Sequence, residues 1–159
     1  MLEVRKAQVF DTTAMAVLLN QIIATGGTTA ITEPVNAALL SSFMQHERAF
    51  WGVAEISGQI VGFQWIEPQA SLPLEAANIA TFVQEGQTGL GIGSQLFEMT
   101  KKAARAIGYT WINANIRADN TSGLTYYQSR GFRDWKRVEG VTLKNGLVVD
   151  KIYKRYDLD

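Results

Sequence analysis

Cysteine is absent from this chain of 159 residues. Disulfides, thiolate metal ligation and a cysteine nucleophile are thereby excluded, and any acyl transfer it performs cannot pass through an enzyme thioester. Histidine is nearly absent too. The one imidazole, His46, stands in a polar Gln-His-Glu-Arg run that reads as a solvated helix end. Neither charge is in excess, since 15 basic residues balance 15 acidic ones, so no long-range field draws nucleic acid or an anionic membrane. No apolar run approaches the ~20 residues that cross a bilayer. Met1-Leu2-Glu3-Val4-Arg5 leads straight into structured sequence without a secretory pattern, and a cytoplasmic location is expected. The length suits a single domain, residues 1–159, with a core of its own.

What the chain does have is glycine at alternate positions in Gln87-Thr88-Gly89-Leu90-Gly91-Ile92-Gly93-Ser94. Before it, Ala77–Val83 is short, apolar and β-prone, and reads as a strand. After it, Ile92, Leu96, Met99, Ala103 and Ile107 recur at helical spacing, and Gly108 can end the helix in a left-handed turn. Strand, glycine loop and helix then follow one another. The glycines remove side chains where a helix start exposes unpaired N–H groups, and those donors with the helix dipole make a cradle for phosphate. A P-loop would place Lys-Ser/Thr after the last glycine, but Gly93 is followed by Ser94-Gln95. The glycine spacing also misses the dinucleotide fingerprint. The same glycines suit a strand-to-helix turn that binds nothing.

Along the rest of the chain, Leu2–Gln8 alternates like a strand, and Asp11 stands where it can cap a helix carrying Met15, Leu18, Leu19, Ile22 and Ile23. Thr25-Gly26-Gly27-Thr28-Thr29 breaks that helix, and Asn36 caps a second one with Leu39, Leu40 and Phe43 turned inward. Phe50–Glu55 and Gln59–Glu67 form a hairpin around Ser57-Gly58. Tyr109–Ile116 is another strand, Asn120 begins a short helix ending near Gly131, and Phe132–Val138 with Leu147–Tyr156 make a last hairpin around Asn145-Gly146. Interleaved helices and strands with hairpins at both ends predict an α/β fold on a mixed, mostly antiparallel sheet.

The loop resembles that of the GNAT acetyltransferase superfamily, whose pyrophosphate loop ends Gly-x-Gly after an Arg or Gln. A second landmark, Asn120-x-x-Gly-Leu-x-Tyr-Tyr127-x-x-x-Gly131-Phe132, resembles the family's Asn…Tyr…Gly-Phe run, and the match from Ala77 to Phe132 needs no gaps. One departure is that the family's Arg/Gln position holds Thr88, with Gln87 one residue early. The order of elements is also that of the GNAT fold.

The resemblance implies acetyl-coenzyme A as donor, a primary amine as acceptor, no metal, and the homodimer usual in the family. It implies that Gly89, Leu90, Gly91, Ile92, Gly93 and Ser94 hold the pyrophosphate, and that Thr81, Phe82 and Val83 pair with the pantetheine arm as a strand edge. By the same resemblance Val83 N–H polarises the acetyl carbonyl, Asn120 contacts the cofactor and Tyr127 is the acid for the leaving thiolate. A phenol titrating near 10 can protonate a thiolate whose parent thiol titrates near 8.5. Asn120 also reads as a plain helix cap, and Tyr126 as a packing residue. For a base, Glu67 and Glu75 flank strands that should border the acceptor side and Glu33 follows the threonine-rich turn; each also reads as surface charge, and water can serve instead. Lys101, Lys102 and Arg105 read as a solvated helix face; Arg117 or Arg130 is placed to meet the adenosine 3′-phosphate. Ala24–Val35 and Lys144–Asp150 are similar to segments of the phosphinothricin and methionine-sulfoximine acetyltransferase branch, which implies a small α-amino acid or related amine as acceptor. A non-catalytic acyl-coenzyme A binding module and a peptide or protein acceptor are the alternatives.

Overall fold

A computed structural model of the chain describes residues 1–87 and 91–159. Seven strands form one sheet: β1 (Leu2–Lys6), β2 (Phe50–Ile56), β3 (Gln59–Glu67), β4 (Ala76–Val83), β5 (Trp111–Arg117), β6 (Arg133–Thr142) and β7 (Val148–Asp157). Their spatial order is β1-β2-β3-β4-β5-β7-β6, and every neighbouring pair is antiparallel except β4–β5. The sheet is therefore mixed and mostly antiparallel, as the sequence pattern predicts. Helices α1 (Thr12–Thr25), α2 (Ala37–Met44), α3 (Ile92–Ile107) and α4 (Thr121–Ser129) complete the fold.

Alternation along β3 sends Phe63 and Trp65 to one face and Gln64 and Ile66 to the other. On the first face α1 packs Met15, Leu18 and Leu19 against Trp51, Phe63, Trp65 and Phe82. Trp51 and Trp65 stack with ring centroids 4.2 Å apart. On the second face α3 and α4 bring Phe97, Ala104 and Tyr127 against Ile66, Ile79, Ile112 and Ala114. The expected turns are present. Ser57 and Gly58 both take positive φ in the β2–β3 hairpin, and Gly108 ends α3 at φ 108°.

Four expectations change. Asp11 is not the side-chain cap of α1; its carboxylate turns back to accept from Gln8 N–H at 2.7 Å and from Arg5 at 2.8 Å. In α2, Leu40 is fully buried while Leu39 and Phe43 are each 40% exposed, because this short helix packs mainly on α1 and buries a narrow stripe. The buried stripe of α3 runs through Ile92, Leu96, Phe97, Thr100 and Ala104, leaving Met99, Ala103 and Ile107 only partly covered. Lys101 is not a purely solvated charge, since its ammonium lies 5.4 Å from the Phe97 ring centroid and 5.6 Å from that of Tyr156.

The feature that positions the site is a gap in the sheet. Parallel pairing of β4 with β5 runs from Ala76↔Trp111 to Ile79↔Ala114 and ends there. β4 continues to Val83 along β3, and β5 continues to Arg117 along β7. The two strands thus diverge into a V whose walls are residues 80–83 and 115–117.

Candidate active site at the splayed strands

Gln84 N–H donates to Val61 O at 2.8 Å, towards β3. Main-chain groups alternate sides along an extended strand, so those of Thr81 and Val83 point into the V. An amide-bearing chain can pair with that edge as an added strand, and Val83 N–H is a donor on the same wall.

At one end of the V stands the start of α3. Gly91 is its N-cap in the left-handed region, φ 75°, where a side chain would be strained. The N–H groups of Ile92, Gly93 and Ser94 lie in the first turn, which has no intrahelical acceptors for them. Gly89 and Leu90 of the expected cradle lie outside the described residues. Gly93 answers to packing as well: a Cβ there would fall 2.5 Å from the Tyr126 ring. Arg130 Nη1 donates to Ser94 Oγ at 2.5 Å, which sets its guanidinium beside this helix start. Its Nε is buried without a partner among the described residues. Arg117, the alternative to Arg130 for a phosphate, instead bonds Thr29 and Asp119.

Below the V a buried polar network joins β3, β4, α3 and α4. Gln64, fully buried, donates through Nε2 to Thr81 Oγ1 at 2.9 Å and to Tyr126 Oη at 3.2 Å. Tyr126 donates to Gly93 O at 2.8 Å. Thr81 Oγ1 and Tyr127 Oη lie 2.8 Å apart, with either as donor. Since Thr81 already accepts from Gln64, its own hydrogen can go to Tyr127, which leaves the phenol hydrogen of Tyr127 free. Burial pushes the Tyr127 phenol well above its ordinary 10, helped by Tyr126 and opposed by Thr81. Tyr126 is pushed up to about 12 by burial against the opposing bond from Gln64. Both phenols are protonated at neutral pH. Tyr126 is thus more than a packing residue. Sequence reasoning missed Gln64 altogether, although a lone amide in Ile60-Val61-Gly62-Phe63-Gln64-Trp65-Ile66 is the signal that marks it.

On the α1/α2 face a polar row crosses the sheet in register: Glu67 opposite Asn78, Asn78 opposite Asn113, Asn113 opposite Arg155. Asn113 donates to Asn78 Oδ1 at 3.0 Å, and Trp135 donates to Asn113 Oδ1 at 2.9 Å. Arg155 lies over the Trp111 ring at 4.0 Å. Glu67 is half-buried, and burial holds its carboxyl above the usual range against the opposing influence of Trp65 and His46. Glu33, Glu75 and His46 are exposed. Glu67 alone among these groups combines the face, the burial and the raised basicity that a proton acceptor uses.

The Gly26–Thr32 loop reaches across to the β5 wall of the V. Asn120 Nδ2 donates to Thr28 O at 3.0 Å, and Arg117 Nη1 donates to Thr29 O at 3.2 Å. Asn120 Oδ1 caps α4 by accepting from Gly123 N–H at 3.0 Å, so the cap reading of Asn120 holds and its amide serves this loop.

Residues 46–134 match the acetyltransferase (GNAT) domain family. The chain is 26% identical to the putative phosphinothricin acetyltransferase YwnH of Bacillus subtilis, over 97% of this chain and 93% of that protein. A solved structure of a putative phosphinothricin N-acetyltransferase superposes with a TM-score of 0.85 at 25% identity, covering 100% of this chain and 99% of that one. The putative acetyltransferase yncA of Salmonella typhimurium, solved with acetyl-CoA, superposes with a TM-score of 0.88 at 19% identity, over 99% of this chain and 94% of that one. With the family match spanning more than half of its length, the chain belongs to the GNAT acetyltransferase domain family.

Proposed function

We propose that this protein moves an acetyl group from acetyl-coenzyme A directly to the primary amine of a small molecule, an amino acid or a close analogue. The observation that carries the reading is the V between β4 and β5, with the α3 N-terminus at one end and the Thr81–Tyr127 pair in its wall. The relatives named for phosphinothricin acetylation support the acceptor class, and the acetyl-CoA complex of yncA supports the donor.

The residues present fit that donor: a left-handed glycine cap and a free helix start for phosphate, and an open strand edge for an amide-bearing arm. Acetyl-coenzyme A supplies the activated acyl group and a thiolate as leaving group. Main-chain N–H groups from Gly91 to Ser94 receive the pyrophosphate, with Arg130 beside them. The edge of Thr81 and Val83 orients the arm, and Val83 N–H steadies negative charge on the carbonyl oxygen. Glu67, directly or through water, takes a proton from the attacking amine, and Tyr127 gives its free hydrogen to the departing sulfur. The C–N bond forms as the C–S bond breaks. Holding both reactants in the V supplies much of the rate, since orientation alone is worth ~7–11 kcal/mol in favourable cases.

Calorimetric titration with acetyl-coenzyme A, with ATP and NADH as controls, tests the donor. Selective binding is expected, followed by thiol release with amino-acid acceptors, an assay free of protein thiols. Equal binding of ATP, or none of acetyl-coenzyme A, would refute the reading.

A further inference from the structure

Between the Gly26–Thr32 loop and the turn of the C-terminal hairpin lies a cavity of about 120 Å³, lined among others by Gly26, Gly27, Thr29, Thr32, Arg117 and Asn145. None of the chemistry assigned above uses it. Its cation is Arg117, only 7% exposed. Of the five N–H donors of a guanidinium, three are engaged, two with Asp119 and one with Thr29 O. Two remain. Lys151 stands opposite Arg117 in the β5–β7 register. Among the described residues Lys151 forms no salt bridge, and Asp119 is the one carboxylate paired with either cation. Two cations against one largely solvated carboxylate leave a net positive charge where water is scarce. The Thr32 hydroxyl, also in the wall, is withdrawn from solvent with no hydrogen-bond partner among the described residues. A buried polar atom in that state is costly unless a ligand completes it.

Arg117 both lines this cavity and ends the β5 wall of the V. Extending the β4–β5 register three residues beyond Ile79↔Ala114 would bring Phe82 opposite Arg117. Arg117 therefore marks the β5 lip that faces the strand edge assigned to the thioester, while Arg130 marks the phosphate end at α3. We infer that this cavity seats a carboxylate carried by the acceptor, held by the free N–H donors of Arg117 and by the Thr32 hydroxyl. A planar two-oxygen anion matches the guanidinium fork, and an amine on the adjoining carbon then extends toward the Thr81–Val83 edge. The inference rests on the acetyl-transfer reading and adds to it the feature that selects the acceptor.

The test uses a panel of L-α-amino acids and their carboxamides, followed by thiol release. Acids are expected to exceed the matching amides about tenfold or more in kcat/KM, the scale of a lost charged hydrogen bond. Thr32→Val, which removes no internal hydrogen bond, is expected to raise KM for the best acid about tenfold, with Tm held or raised and KM for acetyl-coenzyme A unchanged. Arg117→Gln should raise the acid's KM further and abolish the preference over the amide. Amides used as well as acids, an unchanged acid KM in Thr32→Val, or no turnover of any acid by protein that binds acetyl-coenzyme A would each overturn the carboxylate seat. Loss of acetyl-coenzyme A binding in the wild type would instead remove the reading beneath it.

Discussion

Replacing Gln64 with leucine isolates the part of the site that sequence motifs do not show. Gln64→Leu removes the donor to Thr81 and the donor to Tyr126, and also removes the buried Oε1 that has no partner. Two lost hydrogen bonds cost about 1 kcal/mol each, while deleting an unsatisfied buried oxygen returns about 1–3 kcal/mol. Net stability should therefore move by less than about 1 kcal/mol. Activity should move more. Without Gln64 feeding Thr81, the hydroxyl of Thr81 is free to accept from Tyr127, and the phenol hydrogen then points away from the sulfur. General acid catalysis is worth about 10²–10⁴-fold, and a thiolate leaves readily, so Tyr127→Phe should lower kcat about 10²-fold. Gln64→Leu should reproduce part of that loss, lowering kcat about tenfold, with little change in KM for acetyl-coenzyme A. Steady-state thiol release on both single variants and the double variant closes the cycle. Gln64→Leu should have no further effect once Tyr127 is Phe. An equal loss in both backgrounds would refute the orienting role, and wild-type kcat in Gln64→Leu would refute the network's part in catalysis.

Three other substitutions or titrations probe separate parts of the site. Because burial raises the Glu67 pKa, its folded-state advantage holds below the unfolded value and is lost as pH rises through the folded one; Glu67→Gln should then raise Tm at pH 7 while lowering kcat/KM about 10²-fold and flattening its acid limb. A wild-type pH profile in that variant would remove Glu67 as the base. Tyr126, held at about 12 in the fold, keeps its proton where the unfolded phenol near 10 has lost it, so about 2 kcal/mol of stability should disappear between pH 10 and 12; alkaline melting should soften correspondingly in Tyr126→Phe. Gly93→Ala places a Cβ against the Tyr126 ring, and since that ring is held at its hydroxyl, the variant should lose both kcat and acetyl-coenzyme A affinity; loss of affinity alone, by calorimetry, would show that Tyr126 yields without consequence.

The elements legible in the sequence are those set by local rules. Ser57-Gly58 and Asn145-Gly146 announce their turns, Asn36 and Asn120 announce their caps, and Gly108 announces the end of α3, because each effect is decided within a few residues. Asp11, Leu39 and Phe43 were misjudged from pattern alone. Arg5, close in sequence but brought near only by folding, draws the Asp11 carboxylate away from α1, and the extent of cover over α2 decides whether Leu39 is inside. The site divides in the same way. Gly91, Gly93 and Tyr127 stand in motifs, whereas Gln64, Tyr126 and the Arg117–Thr29 bond join segments 33 to 88 residues apart. No window along the chain contains them. The V itself is a matter of register, visible only when β3, β4, β5 and β7 are aligned together.

On the proposed reading, that register gives the donor's contacts to one face of the sheet and the acceptor's to the other. Strand alternation places Gln64 and Thr81 toward α3 and α4, beside Tyr126, Tyr127 and the α3 N-terminus, and places Glu67, Asn78 and Arg117 on the α1/α2 face, with Arg117 against the Gly26–Thr32 loop. The two sets meet only where β4 leaves β5. Tyr126 joins the start of α3 to the Gln64–Thr81–Tyr127 chain, because its hydroxyl donates to Gly93 O and accepts from Gln64. A ligand that pulls the first turn of α3 toward itself must therefore also load the Gln64–Thr81–Tyr127 chain. Thr28 and Thr29 play the matching part on the far face, since Asn120 and Arg117 hold them from the start of α4 and the end of β5. The proposed donor and acceptor contacts are thus fixed to the two walls of one gap, and on that reading a shift of either wall changes the distance across which the acetyl group must pass.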